Sequence, residues 1–576
     1  MQDNEQGNVV FGSNEKLSKS KENVVVKDAA ATPSSESTIP GLTKPQEQPK
    51  GIGFWMIILS LCVATGCSAL EVTAVPTALP TITQALNGED FVWVNSAFSL
   101  AATSLIPATG GLADIFGRRI VILSSFFLFA LGSALCGSAQ SMNWLIAARS
   151  IQGAGSGGIL SLSSIILSDL VSLRERAKYN GMIGLVWAFT SSIGPLIGGG
   201  LAKANWRWVF YINLPLTGIA AGLVLLFLKL KTPTLSLREK FSRIDWIGNL
   251  LIIGSSAAAV IGLTWGGVKY PWTSWHTLVP LIIGLVGIVV FVIYEFTLAT
   301  EPIVPPALLS NRTSISGYIQ TFLTPIVMLA CVIFQPAFFQ SSYASSPIHS
   351  GVLILPSGVV LGVIIIFASV SVAATKKYRP QLWLGWVVIM VSCGLMSTLR
   401  YDSSTAKAIG YPCVLGFAGG FLYAVTYFPV LAPLPVKENA HALALFAFFR
   451  SFAGVWAIAI GSTVLDNQLS KKLSPEVLSL FPGGANGVYS SIPLFVKLEE
   501  PVRTQVRAAF AESIGVLWYV LLGISGLGLV SCVLMKGLPL HTNTDENWGL
   551  EQDSDGLIAL KEGQRASVSP TISEEV

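Results

Sequence analysis

Residues 110–119 read Gly110-Gly111-Leu112-Ala113-Asp114-Ile115-Phe116-Gly117-Arg118-Arg119, a tight reversal carrying one acid and two cations. Glycine lets a backbone turn this sharply. On either side lie apolar runs, about 91–113 and 119–138, each near the roughly 20 residues that cross a bilayer core of about 30 Å. The reversal therefore belongs at a membrane face. Counting outward gives fourteen such runs, at about 55–75, 91–113, 119–138, 143–167, 179–202, 208–229, 246–266, 277–298, 314–336, 350–373, 381–399, 409–432, 441–464 and 514–537. The expected fold is all-α and integral to the membrane.

Composition supports this reading. Of 576 residues, 52% are hydrophobic and 12% charged, about half the charged fraction of a soluble domain. Too few charges are present to cover several globular domains, so the apolar surface must face lipid. Lys plus Arg exceeds Asp plus Glu by 36 − 32 = 4, too small a balance over this length for a phosphate-binding surface, and nucleic acid is not an expected partner. The seven cysteines lie in apolar runs without a CxxC pair, and there are four histidines. Neither a disulfide framework nor a metal site is indicated, and no cofactor is expected.

Loops after even-numbered runs hold fifteen Lys and Arg, against five after odd-numbered ones: Lys203, Arg207, Lys269, Arg400 and Lys407. Cytoplasmic loops carry the excess of cations, so both termini are expected inside. Residues 1–50 contain no short apolar core before a small-residue site, and no cleavable signal peptide is expected. They and residues 541–576 have too little apolar content to offset chain entropy and read as disordered cytoplasmic tails. The stretch 465–513 reads as a long external loop, in which Val502, Val506 and Phe510 are spaced as on a surface helix entering the last span. Asn311-Arg312-Thr313, an Asn-x-Thr sequon, falls inside and should carry no glycan.

The order of Gly110, Asp114, Gly117, Arg118 and Arg119 closely resembles the loop motif of the major facilitator superfamily, where such a reversal acts as a conformational latch. A plain cytoplasmic anchor would account for the two arginines but not for the ordered Gly, Asp and Gly. In the fourth run, Arg149 precedes Gln152-Gly153-Ala154-Gly155, and an arginine inside hydrocarbon costs about 2.5–3.5 kcal/mol on insertion scales. This too resembles a superfamily motif, which implies a role for Arg149 in proton coupling; the alternative is an arginine bonded to carbonyls that pins helices together. The fifth run holds Gly184 and then Gly194-Pro195-Leu196-Ile197-Gly198-Gly199-Gly200. Pro195 removes a helix hydrogen bond and the glycines permit close approach, giving a kinked gating helix. The same pattern resembles that of drug-exporting antiporters, which implies efflux.

Leu70-Glu71-Val72-Thr73-Ala74-Val75-Pro76 and Trp206-Arg207-Trp208-Val209-Phe210-Tyr211-Ile212-Asn213-Leu214-Pro215 are similar to signatures of the fourteen-span drug:proton antiporters, with Glu71 where that family usually has Asp and Pro76 where it has Asn. The aromatics of the second string also suit an interfacial belt. The resemblance extends over about 55–537. It implies two six-helix bundles, 51–230 and 313–540, with two helices inserted at 231–312.

Among acids, Glu71 and Glu295 lie within runs, Glu295 near a cytoplasmic end, so Glu71 is the expected proton carrier. Moving Arg149 toward a buried carboxylic acid would release its proton and moving it away would capture one, provided both face the central vestibule. Gln152, Trp187, Phe189, Phe334, Phe446, Arg450 and Trp456 are the candidate lining of that vestibule, which favours a small amphipathic organic substrate. His441 reads as a surface histidine at the membrane edge. No Gly-x4-Gly-Lys-Ser/Thr string occurs, so an ion gradient rather than ATP is the expected driver. The expectation is a proton-coupled exporter of drugs, toxins or hydrophobic metabolites, monomeric and in the plasma membrane, with a vacuolar or other internal membrane as the alternative. A carrier for uptake of iron chelates, a vacuolar amino-acid carrier, and a non-transporting nutrient sensor are the competing readings. No clustered catalytic set suggests an enzyme.

Overall fold

The computed structural model describes residues 51–86, 92–229, 236–267, 270–345, 347–481, 492, 495 and 498–540. The expected tails, 1–50 and 541–576, lie outside the described residues, as do 482–491 of the external loop. Fourteen long helices follow in order: α1 Ile52–Leu86, α2 Val92–Phe116, α3 Arg118–Gly137, α4 Met142–Leu170, α5 Leu173–Asn205, α6 Asn213–Phe227, α7 Trp246–Trp265, α8 Trp275–Thr297, α9 Arg312–Tyr343, α10 Pro347–Thr375, α11 Arg379–Ser397, α12 Thr405–Val425, α13 Asn439–Lys472 and α14 Val502–Ser531. A short helix, Trp208–Tyr211, leads into α6.

Thirteen of these, α6 together with its leading turn, are long and apolar enough to cross a membrane. The other, α2, has 25 residues, about 37 Å at the helical rise, and carries hydroxyls for a structural reason. Its hydroxyls have partners in neighbouring helices: Thr109 Oγ1 donates to Ser161 Oγ of α4 at 2.6 Å, and Thr103 lies 2.7 Å from Ser451 of α13. The chain is an integral, multi-pass membrane protein.

Helices α1–α6 pack into one bundle and α9–α14 into a second. The inserted α7 and α8 pack on each other, and α7 also leans on α2 and α13. Ile282, Val286, Val289 and Ile293 of α8 point outward, a face made for lipid. Small residues set the spacing in the first bundle. On α4, Gly153 and Gly157 lie against the Phe98 and Ala102 carbonyls of α2, while Gly155 and Gly158 lie against Phe129 and Ser125 of α3. None of the four sites has room for a Cβ, so α4 presents one glycine pair to each neighbour.

The bundles meet along α5–α10 and α2–α13. A Cβ added to Gly181 would come 3.0 Å from Ser369 Oγ, one on Gly184 3.3 Å from Ile365, and one on Gly358 3.0 Å from Ser192 Oγ. Continued in the same antiparallel register, the next partners are Gly199 and Gly351, and at neither does any described atom lie within 4 Å of a Cβ. The seam is closed on the side assigned to the cytoplasm and parts toward the outside.

Two local expectations change. The stretch 500–513 is not a surface helix but the first part of a continuous α14, with Val506 and Phe510 fully buried. Phe510 packs edge-on to Phe495, ring centroids 6.0 Å apart, and Arg507 Nε donates to the Ser342 carbonyl at 2.9 Å. The external connection is correspondingly shorter, since α13 runs to Lys472. Asn311 of the sequon caps α9, its Oδ1 accepting from Thr313 N at 2.8 Å.

Candidate functional site

Ser141 caps α4, its side chain accepting from Trp144 N at 3.3 Å, and two turns later the helix carries Arg149 into the first bundle. Arg149 Nε donates to the Val94 carbonyl of α2 at 2.9 Å. Its Nη1 donates to Gln152 Oε1 at 2.7 Å and forms an ion pair with Glu71 Oε1 of α1. The other carboxylate oxygen of Glu71 accepts from Asn213 Nδ2 of α6 at 2.5 Å. Gln152 Nε2 donates onward to Ser133 Oγ of α3 at 2.9 Å. The guanidinium lies 4.3 Å from the centre of the Phe98 ring, a cation–π contact strengthened by exclusion of water. Glu71 and Arg149 are each 1% exposed.

This answers what compensates the buried arginine: a carboxylate, a carbonyl, an amide and an aromatic face. It also corrects the position. Glu71 and Arg149 do not line the space between the bundles in this state. Their remaining partners come from α3 and α6, so the cluster is enclosed within the first bundle. Gln152, expected on the cavity wall, belongs to this enclosed cluster because its two polar ends bond Arg149 and Ser133.

The reversal after α2 forms a second polar cluster. Gly117 has φ 91°, a conformation that other residues rarely adopt, and it turns Arg118 back toward α2. Arg118 Nη1 donates to Asp114 Oδ1 at 2.5 Å and to the Ala113 carbonyl at 2.9 Å, and Nε donates to Asp169 Oδ2 of α4 at 2.9 Å. Arg119 instead donates to the Leu225 carbonyl at 2.6 Å, within its own bundle. A Cβ on Gly110 would stand 3.1 Å from the Ala440 carbonyl of α13. That close approach lets Asp114 Oδ2 reach His441 Nε2 at 3.1 Å. His441 is therefore a bridge between bundles rather than a surface histidine.

Within α5, which remains one helix through Pro195, Gly194 and Gly198 pack against Thr73 and Ala74 of α1, whereas Gly184 meets α10 and a Cβ added to Gly199 would have no described atom within 4 Å. Among the proposed cavity residues, Phe334 is buried against Gly461 inside the second bundle, and Phe446 is buried as well. Phe334 fills a helix–helix contact because Gly461 opposite leaves room for its ring. Trp187, Arg450 and Trp456 are half-buried and Phe189 is exposed. Arg450 lies 4.1 Å from the centre of the Tyr423 ring and has no carboxylate within ion-pair distance among the described residues. The indole nitrogen of Trp456 has no hydrogen-bond partner among them.

Sequence reading missed Asn213, hidden in a string that suited an aromatic belt, and Asp169, placed two residues beyond the expected end of its span. It also took Arg176 for an ordinary loop cation. Arg176 is 2% exposed, donates to the Ser168 carbonyl at 3.0 Å, and is pushed down to about 10 by burial, which leaves it charged at neutral pH. A cation three residues from a helix start gives no periodic signal of burial.

Residues 61–245 match the Major Facilitator Superfamily. The chain is 36% identical to the efflux pump FUS6 of Gibberella fujikuroi, over 91% of this chain and 96% of that protein. It is likewise 36% identical to the MFS-type efflux pump LUC4 of a Fusarium species, over 91% and 95%, and 35% identical to the MFS efflux transporter aclA of Aspergillus oryzae, over 92% and 98%. Among solved structures, the crystal structure of the human organic anion transporter MFSD10 (TETRAN) aligns with a TM-score of 0.52 at 13% identity, over 84% of this chain and all of that one. Two helical bundles, the latch-like reversal and relatives matched end to end place this chain in the major facilitator superfamily.

Proposed function

We propose that this protein is a proton-coupled exporter of small amphipathic organic compounds, working by alternating access and without catalytic chemistry of its own. The observation that carries export is near-complete alignment with fungal proteins named as efflux pumps. Proton coupling is assigned to Glu71, a carboxylate buried within the first bundle and balanced by a single arginine, which would reach the vestibule only after its enclosed cluster rearranges. Protonating Glu71 removes the charge that holds Arg149, Asn213 and α1 together, and a neutral acid frees that cluster to rearrange. The cargo would sit between the bundles, where Arg450 and the Trp456 N–H offer polar contacts amid aromatic surface.

Two measurements test this reading. Cells lacking the protein should accumulate the cargo of an organic-compound panel, and expression should lower internal concentration; a rise on expression would mean uptake instead. In sealed vesicles with an imposed pH gradient, Glu71→Gln should abolish proton-driven flux while substrate binding remains measurable. Undiminished flux would remove Glu71 from the mechanism and leave its pair with Arg149 as a purely structural tie.

A further inference from the structure

His441 stands where α2, α13 and the segment joining the inserted helices to the second bundle converge. Its Nε2 lies 3.1 Å from Asp114 Oδ2 and its Nδ1 lies 2.9 Å from the Ile303 carbonyl. Both partners are acceptors only. A neutral imidazole has a single N–H and can satisfy one of them, whereas the imidazolium donates to both. The closed seam thus satisfies both acceptors only with the doubly protonated ring.

The neighbours of this ring hold it in place. Asp114 is fixed from behind by Arg118, which is itself held by Asp169. Ile303 belongs to a segment anchored by Val304 N, which donates to Glu295 Oε2 of α8 at 3.1 Å. The charged groups facing His441 are Asp114 from α2 and Glu438 from the turn before α13, with Lys437 Nζ 3.7 Å from Glu438. The ring is 17% exposed, on the side assigned to the cytoplasm, so cytoplasmic water can supply or remove the proton.

We propose that His441 is a proton-binding site of the cytoplasmic gate, separate from Glu71, and that protonation from the cytoplasm clamps the two bundles shut through Asp114 and the Ile303 carbonyl. The proposal rests on the alternating-access reading above. A closed state that requires a proton is favoured as pH falls and released as pH rises. In an exporter that admits protons, such a clamp slows turnover as the cytoplasm acidifies, limiting the acid load that the transport cycle itself delivers.

Hydrogen exchange of the full chain in lipid nanodiscs, read as protection factors for residues 108–116 and 439–447, tests the clamp without substrate or gradient. In the unsubstituted protein, protection should fall about tenfold between pH 6 and pH 8. His441→Gln should remove the pH dependence and leave low protection at both values, and Asp114→Asn should do the same. Equal protection at both pH values in the unsubstituted protein overturns the proposal, even where a variant fails to fold; so does an unchanged pH dependence in His441→Gln. Loss of gradient-driven flux with intact exchange behaviour would instead count against proton-coupled export and spare the clamp.

Discussion

Arg149 serves three acceptors from two nitrogens, and this geometry ranks its substitutions. Arg149→Ala leaves the Glu71 carboxylate buried with only Asn213 opposite, a loss of about 3–5 kcal/mol by analogy with breaking other buried pairs. Replacing both members, as Glu71→Gln with Arg149→Met, should recover much of that loss, because no unpaired charge remains. Unfolding titrations in mixed micelles should therefore place the double variant above Arg149→Ala; a double variant as unstable as the sum of its parts would show that the pair is not what couples them. Arg149 and Glu71 were legible in the sequence because a charge inside an apolar run is conspicuous. Asn213 and Asp169 were not, since an amide next to aromatics or an acid at a helix end carries no periodicity. Their significance comes from which distant helix faces them, a property of packing.

Glycines that look alike along the chain do different work in different helices. On α4, Gly153 and Gly157 touch α2, while on α5 a Cβ added to Gly199 would have no described atom within 4 Å. Gly153→Val and Gly157→Val should separate α2 from α4 and loosen the Arg149–Val94 contact, lowering stability by several kcal/mol, within the range of severe core overpacking. Gly199→Ala should stay within about 0.5 kcal/mol. Yield of monodisperse protein and apparent melting temperature in detergent distinguish the two sets. Helix identities and rough boundaries could be read from apolar run lengths, α2 among them despite its hydroxyls. The burial of Val506 and Phe510 was not apparent, because amphipathic spacing shows that one face is apolar but not whether lipid, water or protein meets the other.

Along the α5–α10 seam, contact persists from Gly181 and Ser369 to Ser192 and Gly358, then ends before Gly199 and Gly351. The molecule is caught with the side assigned to the cytoplasm shut. A cysteine pair at Gly181 and Ser369 should oxidise readily in this state and block transport. A pair at Gly199 and Gly351 should form a bridge only after the outer ends approach, trapping the opposite state. Non-reducing peptide mapping of vesicles with and without cargo reads both, and a 199–351 bridge forming at once in resting protein would mean that the outer gap is not there. The span count and orientation followed from apolar runs and loop charge, and the two-bundle plan from the resemblance of the motifs to the major facilitator superfamily, whereas the state of the seam could not, since one sequence must encode both ends of the cycle. The enclosure of Glu71 and Arg149 by α3 and α6 carries a kinetic consequence. If Glu71 carries the hydrogen ion and the cargo sits between the bundles, as proposed, the two occupy different compartments, neither has to vacate a shared seat for the other, and a bulky blocker lodged between the halves should inhibit noncompetitively with respect to acid.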